Sequence, residues 1–124
     1  MQRVLIVDDE FLNRRLLSKI LLKEGYEVLE ANDGMDAIEI LKIHNIDLIL
    51  MDLMMPKMDG FEATKLIKSE KKLSAIPLII MSAIADKSHI QRGLELGADE
   101  YLTKPFDLGK FVDTIKKYND VKSL

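Results

Sequence analysis

Cysteine is absent from this sequence, which excludes disulfide frameworks, thiolate metal sites and cysteine nucleophiles together. No apolar run approaches the roughly 18 residues that a membrane span requires. The opening MQRVLIVDDE becomes acidic too early for a secretory signal. An excess of positive charge is also missing, since the net charge is −3. Binding to a nucleic-acid backbone needs a basic patch, so we expect no direct nucleic-acid partner, no membrane and a cytoplasmic location.

The composition that remains is that of a folded globular protein. Of the 124 residues, 48% are hydrophobic and 31% are charged, which is the usual balance for a soluble domain. The length is close to the commonest domain size, and the sequence contains no linker, repeat or low-complexity segment. We therefore expect one domain over residues 1–124, in which the polar residues 119–124 form a frayed tail.

Five short runs rich in valine, isoleucine and leucine recur along the chain. The first, third and fourth are continuously apolar, which is typical of parallel strands that are covered on both faces. The second and fifth runs are more polar, as strands nearer the edges of a sheet can be. The predicted strands are Arg3–Val7, Glu27–Glu30, Asp47–Met51, Pro77–Met81 and Glu100–Leu102.

Segments with a period near 3.6 residues separate these runs and predict five amphipathic helices. Gly25 and Gly97 favour helix ends, and Asp59, Asp86 and Asp107 favour helix starts. Strand and helix therefore alternate five times, which predicts an α/β fold with helices on both faces of one sheet. The residues predicted to face the sheet are Leu12, Leu16, Leu17, Ile20, Leu21, Ala37, Ile38, Leu41, Phe61, Leu66, Ile67, Ile90, Leu94, Leu108, Phe111, Val112 and Ile115.

Polar side chains follow these apolar runs at the points where the predicted strands end: Asp8 and Asp9, then Asp52, Ser82 and Lys104. Ligands bind beyond the carboxyl ends of the strands in such sheets. Three carboxylates at one edge raise one another's pKa and repel unless a cation neutralises them. A hard divalent ion with oxygen ligands does so. The sequence therefore predicts a Mg²⁺ (or Mn²⁺) site at this edge.

Most of these residues also have a purely structural interpretation. Asp9 and Glu10 are suited to the start of a helix, Ser82 to a helix cap and Lys104 to the surface. These interpretations do not account for Asp52, which directly follows the apolar segment LILM. A lysine facing Asp52 can pair with the carboxylate and then with a phosphoryl oxygen. A serine hydroxyl placed across from Asp52 can donate to the same phosphoryl group.

Four segments, VDDE, MDLMMPKMDG, MSA and YLTKPF, together resemble the signature blocks of response-regulator receiver domains. The resemblance extends from Val4 to about Lys117. It implies a flavodoxin-like, doubly wound (βα)5 fold with a five-stranded parallel sheet in the order 2-1-3-4-5. It also implies a two-component phosphorelay function. In that function an aspartate takes a phosphoryl group from a sensor histidine kinase or histidine phosphotransfer protein, and the fourth helix, fifth strand and fifth helix signal to a downstream effector.

The resemblance assigns a role to each matching residue. It implies that Asp52 is the phosphoacceptor, and that the metal ion is bound by Asp8, Asp9, Asp52 and the backbone carbonyl of Met54, with Asp9 the expected direct ligand of the pair Asp8 and Asp9. It implies that Ser82, Lys104 and Tyr101 bind the phosphoryl group or act in the switch. It also implies a cis peptide bond between Lys104 and Pro105.

Three functional classes fit this set of residues. The first is a phosphorylated signalling receiver, and the second is an interaction module of the same fold that signals without phosphorylation. The third is a phosphatase or transferase with an aspartate nucleophile. Enzymes of this kind that use a second acid need an aspartate two residues after the first, and the residue two positions after Asp8 is Glu10. We expect the first class: a switch that catalyses its own phosphoryl uptake and slow autodephosphorylation, and not an enzyme acting on other substrates.

Other chemistry-bearing residues have simpler explanations. His44 and His89 have no acidic or serine partner at a catalytic spacing, so we expect both at the surface. The methionines near Asp52 are more typical of core filling than of soft-metal binding. The output pathway, the choice between a monomer and a phosphorylation-dependent dimer, and the choice between a free-standing receiver and part of a larger regulator are open at this point.

Overall fold

A five-stranded parallel sheet forms the centre of the protein. The computed structural model describes residues 2–123, and side chains within residues 2–118. The strand order is β2-β1-β3-β4-β5, and every neighbouring pair is parallel. This confirms the predicted fold class and strand order. The elements are β1 (Arg3–Val7), α1 (Phe11–Lys23), β2 (Glu27–Ala31), α2 (Gly34–Ile43), β3 (Leu48–Asp52), α3 (Gly60–Ser69), β4 (Leu78–Ser82), α4 (Lys87–Glu95), β5 (Glu100–Thr103) and α5 (Leu108–Ser123).

The apolar character of each strand matches its place in the sheet. All five residues of β3 and of β4 are buried, since both strands lie inside the sheet with helices on either side. The edge strand β2 is less buried than these two: it begins with an exposed glutamate, and only its last residue, Ala31, is buried. Continuous apolar runs therefore identified the interior strands correctly.

Alternate residues of each strand contribute to two separate cores. Leu5 and Val7 pack into a cluster with residues of α2 and α3. Val4 and Ile6 pack on the opposite face, in a cluster with residues of α1 and α5. This alternation follows from the two-residue period of a strand.

The predicted face of the first helix is wrong in part. Leu12 is 82% exposed and Leu16 is 58% exposed, whereas Leu17, Ser18 and Leu21 are the buried residues of α1. Leucine is common on helix surfaces because it is a strong helix former, so apolar spacing alone misplaced the buried stripe. The same correction applies to Leu66, Leu94 and Leu108, which are also exposed.

Aspartates begin the later helices as predicted. Asp59 Oδ1 accepts from the Glu62 amide at 2.9 Å, and the Glu62 side chain accepts from the Asp59 amide, completing a capping box. Asp86 accepts from the amide of His89 at 2.9 Å, and Asp107 accepts from that of Lys110 at 2.7 Å. These bonds satisfy amides that have no partner within the helix.

His89 differs from its prediction. It is half-buried, its Nδ1 lies 2.6 Å from Asp86 Oδ1, and its ring stacks on Phe61 at 6.0 Å between centroids. An acidic partner is therefore present three residues earlier, at the helix cap. His44 is exposed, as predicted.

The last helix extends close to the end of the chain. The backbone of α5 continues from Leu108 to Ser123, and the frayed tail expected over residues 119–124 stays a prediction. The last residue lies outside the described residues. Within residues 2–123, no helix combines the length and the apolar character needed to cross a bilayer.

Candidate functional site

The predicted site residues meet at the carboxyl edge of the sheet. Asp8 directly follows β1, Asp52 ends β3, Ser82 ends β4, and Lys104 directly follows β5. The register places Ser82 opposite Thr103, the residue before Lys104. Because the strands are parallel, one edge collects all of these polar groups.

Three carboxylates form a compact acidic cluster at this edge. One oxygen from each of Asp8, Asp9 and Asp52 lies within 4.8 Å of the others. Asp8 is 0% exposed and Asp52 is 7% exposed, whereas Asp9 is exposed. Three negative charges at this spacing repel strongly where water is excluded. An all-oxygen donor set that is this acidic and this close fits a hard divalent cation such as Mg²⁺ or Mn²⁺.

The two aspartates that follow β1 have different surroundings. Asp8 Oδ1 accepts from the amide of Glu10 at 2.9 Å, and its Oδ2 accepts from Asn13 Nδ2 at 3.2 Å. Within residues 2–118, the Asp9 carboxylate makes no hydrogen bond. Glu10 occupies the N-cap of α1 without a side-chain cap bond, so helix capping does not explain this acidic run. Asp8 is held in place, whereas Asp9 is available to a ligand.

Lys104 is the cation that faces the cluster. Its Nζ lies 3.0 Å from Asp52 Oδ1, with the two side chains 25% and 10% exposed. The backbone amide of Lys104 donates to the carbonyl of Ser82 at 2.8 Å, which fixes the residue at the end of β5. The peptide bond from Lys104 to Pro105 is cis, the isomer that the resemblance implies. Because its ammonium is paired with Asp52, the interpretation of Lys104 as a simple surface lysine is wrong.

One ammonium does not neutralise three carboxylates. Burial raises the pKa of Asp52, the hydrogen bond and charge of Lys104 lower it, and the charges of Asp8 and Asp9 raise it again. The net pKa of Asp52 lies above its usual value. The folded protein thus disfavours the ionised cluster, and further positive charge at this point is stabilising.

Ser82 is joined to Tyr101 through the backbone of Ile84. Ser82 is 1% exposed, and its hydroxyl accepts from the amide of Ile84 at 3.0 Å. The Tyr101 hydroxyl donates to the carbonyl of Ile84 at 2.6 Å. Asp86, not Ser82, is the N-cap of α4, so the helix-cap interpretation of Ser82 is wrong. Because Ile84 bonds to both side chains, a movement of Ser82 would alter the position of the carbonyl that accepts from Tyr101.

The loop between β3 and α3 follows the buried Asp52. Met54 lies in this loop and is 65% exposed. Lys57 has a φ of 67°, and the amide of Met58 donates to the carbonyl of Pro56 at 2.7 Å across it. A three-residue turn with positive φ is rare and strained for a residue with a β-carbon. Nothing in the residue type of Lys57 predicts this turn.

Gly60 closes this loop against the site, and its replacement tests the packing. A β-carbon there would lie 2.5 Å from the carbonyl oxygen of Asp52 and 2.7 Å from Cα of Leu53. Because both neighbours are backbone atoms, the Gly60→Ala variant is expected to lose about 2 kcal/mol of stability through overpacking. Urea unfolding followed by circular dichroism measures this loss.

Gly109 provides the matched control in the first turn of α5. A β-carbon at Gly109 meets its nearest atom at 3.4 Å, an ordinary contact. The Gly109→Ala variant is expected to gain up to about 1 kcal/mol from helix propensity. Equal effects of the two substitutions would contradict the packing argument.

Sequence reasoning missed two polar residues of α1 that contact the acidic cluster. Asn13 donates to the Asp8 carboxylate, and Arg14 Nη1 donates to the Asp8 carbonyl at 2.7 Å. Both are half-buried. Their position one turn after Asp9 is the signal that was available, because residues in the first turns of a helix lie over the strand end that precedes it.

Comparisons with known proteins extend over the whole of this arrangement. The profile of a family described as the response regulator receiver domain matches residues 4–116. The polar-differentiation response regulator DivK of Brucella ovis is 36% identical over 115 residues, which are 93% of this chain and 94% of that protein. Every strand end that carries a candidate residue lies within the matched residues.

Solved structures give the same result. The chemotaxis protein CheY4 of Vibrio cholerae is 31% identical with a TM-score of 0.90, and the match covers 95% of this chain and 98% of that one. The signal receiver domain of a signal transduction histidine kinase from Syntrophus aciditrophicus is 31% identical with a TM-score of 0.89, covering 95% and 89% respectively. The sheet and its helices are therefore shared with both.

Proposed function

This chain belongs to the response regulator receiver domain family, and from that premise we propose that Asp52 is its phosphoacceptor. As a member of the family it is the receiver domain of a two-component response regulator, a signalling switch. The family works with histidine kinases or phosphotransfer proteins on one side and with effectors on the other. The proposal goes further by giving a chemical role to each residue at the carboxyl edge of the sheet.

The observation that carries the proposal is the pairing of Asp52 with Lys104 at 3.0 Å beside two further carboxylates. A buried acid with one positive partner and two negative neighbours is a poor structural element, because it reduces stability. The same arrangement is well suited to a nucleophile that must receive a highly charged group. No other described residues combine an acid cluster of this kind with a facing lysine.

Phosphoryl transfer follows from this geometry. A carboxylate oxygen of Asp52 forms a bond to phosphorus while the bond from phosphorus to the imidazole nitrogen of a donor phosphohistidine breaks, and the imidazole leaves with the electron pair. Lys104 then shifts from the carboxylate to a phosphoryl oxygen. Because these residues belong to the receiver, it catalyses its own uptake. Water attacks the phosphorus of the acyl phosphate, the bond from phosphorus to the Asp52 oxygen breaks, and inorganic phosphate leaves, so that this slow hydrolysis returns Asp52 to its free carboxylate and resets the switch.

A divalent cation completes the site. The carboxylates of Asp9 and Asp52 and the carbonyl of Met54 would hold it directly, with Asp8 fixed behind them. When bound, Mg²⁺ or Mn²⁺ supplies positive charge that stabilises the phosphoryl oxygens during transfer. We place the reaction in the cytoplasm, where the ATP that charges histidine kinases is available.

The switch uses the connection from Ser82 to Tyr101. The Ser82 hydroxyl, which now accepts from the Ile84 amide, would donate instead to a phosphoryl oxygen on Asp52. Ile84 then loses this support, and its carbonyl is the acceptor that holds Tyr101. The surface made of α4, β5 and α5 thereby shifts towards a second arrangement that a downstream effector recognises.

Phosphorylation by a small donor tests the proposal directly. The full chain is incubated with acetyl phosphate in the presence of Mg²⁺, and separately with EDTA. We expect one phosphoryl group per chain by intact mass with Mg²⁺, located at Asp52 by borohydride reduction and peptide mapping, and none with EDTA.

The other outcomes separate the alternatives. Consumption of acetyl phosphate without a labelled chain would indicate an enzyme acting on other substrates. No labelling with Mg²⁺ would indicate an interaction module that signals without phosphorylation. Labelling at another residue, or labelling that is indifferent to EDTA, would contradict the roles given to Asp52 and to the acidic cluster.

A further inference from the structure

Arg14 connects the acidic cluster to the edge strand β2. Its Nη1 donates to the carbonyl oxygen of Asp8 at 2.7 Å, and its Nε donates to Glu30 Oε1 at 2.9 Å. The side chains of Arg14 and Glu30 are only 12% and 19% exposed. A guanidinium holds its donors in a rigid planar fork, so one side chain ties the backbone of Asp8 to a second strand.

Glu30 is a firm anchor for this connection. Besides Arg14, its carboxylate accepts from Ser18 Oγ at 2.9 Å and from Arg15 Nη1 at 2.8 Å. Burial raises the pKa of Glu30, but the bonds from Ser18, Arg14 and Arg15 outweigh it, so the pKa lies below its usual value. Glu30 is therefore ionised at neutral pH, and three side chains donate to its carboxylate.

All the polar groups of Asp8 have partners. Its amide donates to the carbonyl of Ala31 at 3.1 Å, its carboxylate accepts from Glu10 and Asn13, and its carbonyl accepts from Arg14. The peptide unit that contains this carbonyl also contains the amide nitrogen of Asp9 and is planar. Fixing the Asp8 carbonyl therefore fixes the plane from which Asp9 projects.

We propose that Arg14 is a positioning residue for the acidic cluster, one that orients the Asp8–Asp9 peptide so that the Asp9 carboxylate points towards a divalent cation. The inference rests on the proposed function, because it assumes that Asp9 binds the metal ion. It adds a requirement that the acidic residues themselves do not reveal: a cation on α1 that touches neither the metal ion nor the phosphoryl group.

The charge of Arg14 makes the inference sharply testable. Arg14 is positive and lies next to the cluster, so by electrostatics alone its removal would strengthen the binding of a divalent cation. Loss of the bond to the Asp8 carbonyl acts in the opposite direction, because Asp9 loses its orientation. The sign of the change in metal affinity therefore decides between the two effects.

The Arg14→Met variant of the full chain is titrated with Mn²⁺, and free Mn²⁺ is counted by electron paramagnetic resonance. We expect affinity to fall about tenfold, the effect usual for groups that orient metal ligands. In phosphorylation with acetyl phosphate, the Mg²⁺ concentration for half-maximal rate is expected to rise, while the rate at saturating Mg²⁺ is retained. Circular dichroism verifies the fold.

Arg15→Met is the matched control. Arg15 binds the same carboxylate of Glu30 but is 60% exposed, and within residues 2–118 it makes no bond to Asp8. We expect unchanged or slightly tighter Mn²⁺ binding in this variant. The Arg14→Lys variant keeps the charge and a single donor group, so it is expected to bind Mn²⁺ with intermediate affinity, and it replaces Arg14→Met should that variant fail to fold.

Unchanged or tighter Mn²⁺ binding by Arg14→Met would overturn the inference. Equal weakening in Arg14→Met and Arg15→Met would also overturn it, because the effect would then belong to Glu30. A failure of the proposed function looks different: the unaltered chain would itself bind no Mn²⁺ or would not be labelled on Asp52. An unaltered chain that binds and is labelled, beside an unaffected Arg14→Met, counts against the inference alone.

Discussion

The Asp52→Asn variant is expected to take up no phosphoryl group from acetyl phosphate and Mg²⁺, and to unfold at a higher temperature than the unaltered chain when metal is removed by EDTA. The first effect follows because an amide oxygen is too weak a nucleophile to form the acyl phosphate. Intact mass after incubation measures it. The substitution thus abolishes phosphoryl uptake but raises the unfolding temperature, which is the pattern expected of a residue whose chemical role costs stability.

The gain in stability follows from the charges around Asp52. Its pKa in the folded protein is raised above the usual value, so the folded state holds the proton more tightly than the unfolded chain does. Stability is therefore lost as the pH rises through that raised pKa. A neutral amide keeps an oxygen for Lys104 and removes the repulsion with Asp8 and Asp9. Mg²⁺ is expected to raise the unfolding temperature of the unaltered chain more than that of the variant.

Asp113→Asn is a suitable control, because Asp113 is an exposed residue of α5. It is expected to be labelled fully and to unfold with the same response to Mg²⁺ as the unaltered chain. Persistent labelling of Asp52→Asn would place the acceptor elsewhere. A lower unfolding temperature in EDTA would mean that the bond to Lys104 outweighs the repulsion among the three acids.

The sequence was sufficient for the residues at the carboxyl ends of the strands. Asp52 and Ser82 each follow a continuously apolar run of four residues, and such runs are interior strands of a parallel sheet. Once the strands are parallel, their ends meet at one edge whatever the details of the helices. Asp8, Asp52 and Lys104 were therefore predictable as neighbours, because their proximity depends on topology alone.

The burial and the pairing of the side chains around these residues depend on contacts between helices and strands, and the spacing of apolar residues in the sequence does not reveal those contacts. Leu16 and Ser18 are equally compatible with a helix, yet Ser18 is buried and Leu16 is exposed, because Ser18 and Arg14 meet Glu30 across α1 and β2. Such pairings join residues far apart in the chain and are fixed only when the helix packs. The positive φ of Lys57 had no signal in the sequence, since glycine and asparagine are the residues that usually mark it.

The Lys104→Met variant is expected to slow phosphoryl uptake from acetyl phosphate about a hundredfold at saturating Mg²⁺, the usual cost of removing one electrostatic group that stabilises a transition state. Lys104 lies 3.0 Å from the attacking carboxylate, so its ammonium is placed to pair with a phosphoryl oxygen as charge moves there. Reactions quenched at successive times and analysed by intact mass give the rate of phosphoryl uptake. Methionine keeps an unbranched side chain, one atom shorter than that of lysine, and removes the charge, so most of the apolar packing of the lysine stem is retained.

Lys104→Arg separates charge from geometry. Arginine keeps the positive charge but spreads it over a wider planar group, so we expect a rate between those of the unaltered chain and Lys104→Met. An unchanged rate for Lys104→Met at saturating Mg²⁺ would show that the lysine only offsets the charge of the acids. The same result would remove the main support for its role in transfer.

Metal affinity distinguishes Lys104 from the metal ligands. Removing a positive charge beside Asp8, Asp9 and Asp52 makes the cluster more negative, so Lys104→Met is expected to bind Mn²⁺ more tightly than the unaltered chain. Loss of a ligand, as in Asp9→Asn, should instead weaken Mn²⁺ binding and slow uptake together. A variant that binds the cation better and yet transfers the phosphoryl group poorly assigns the missing charge to the phosphoryl oxygens, because no effect on the metal ion has that sign.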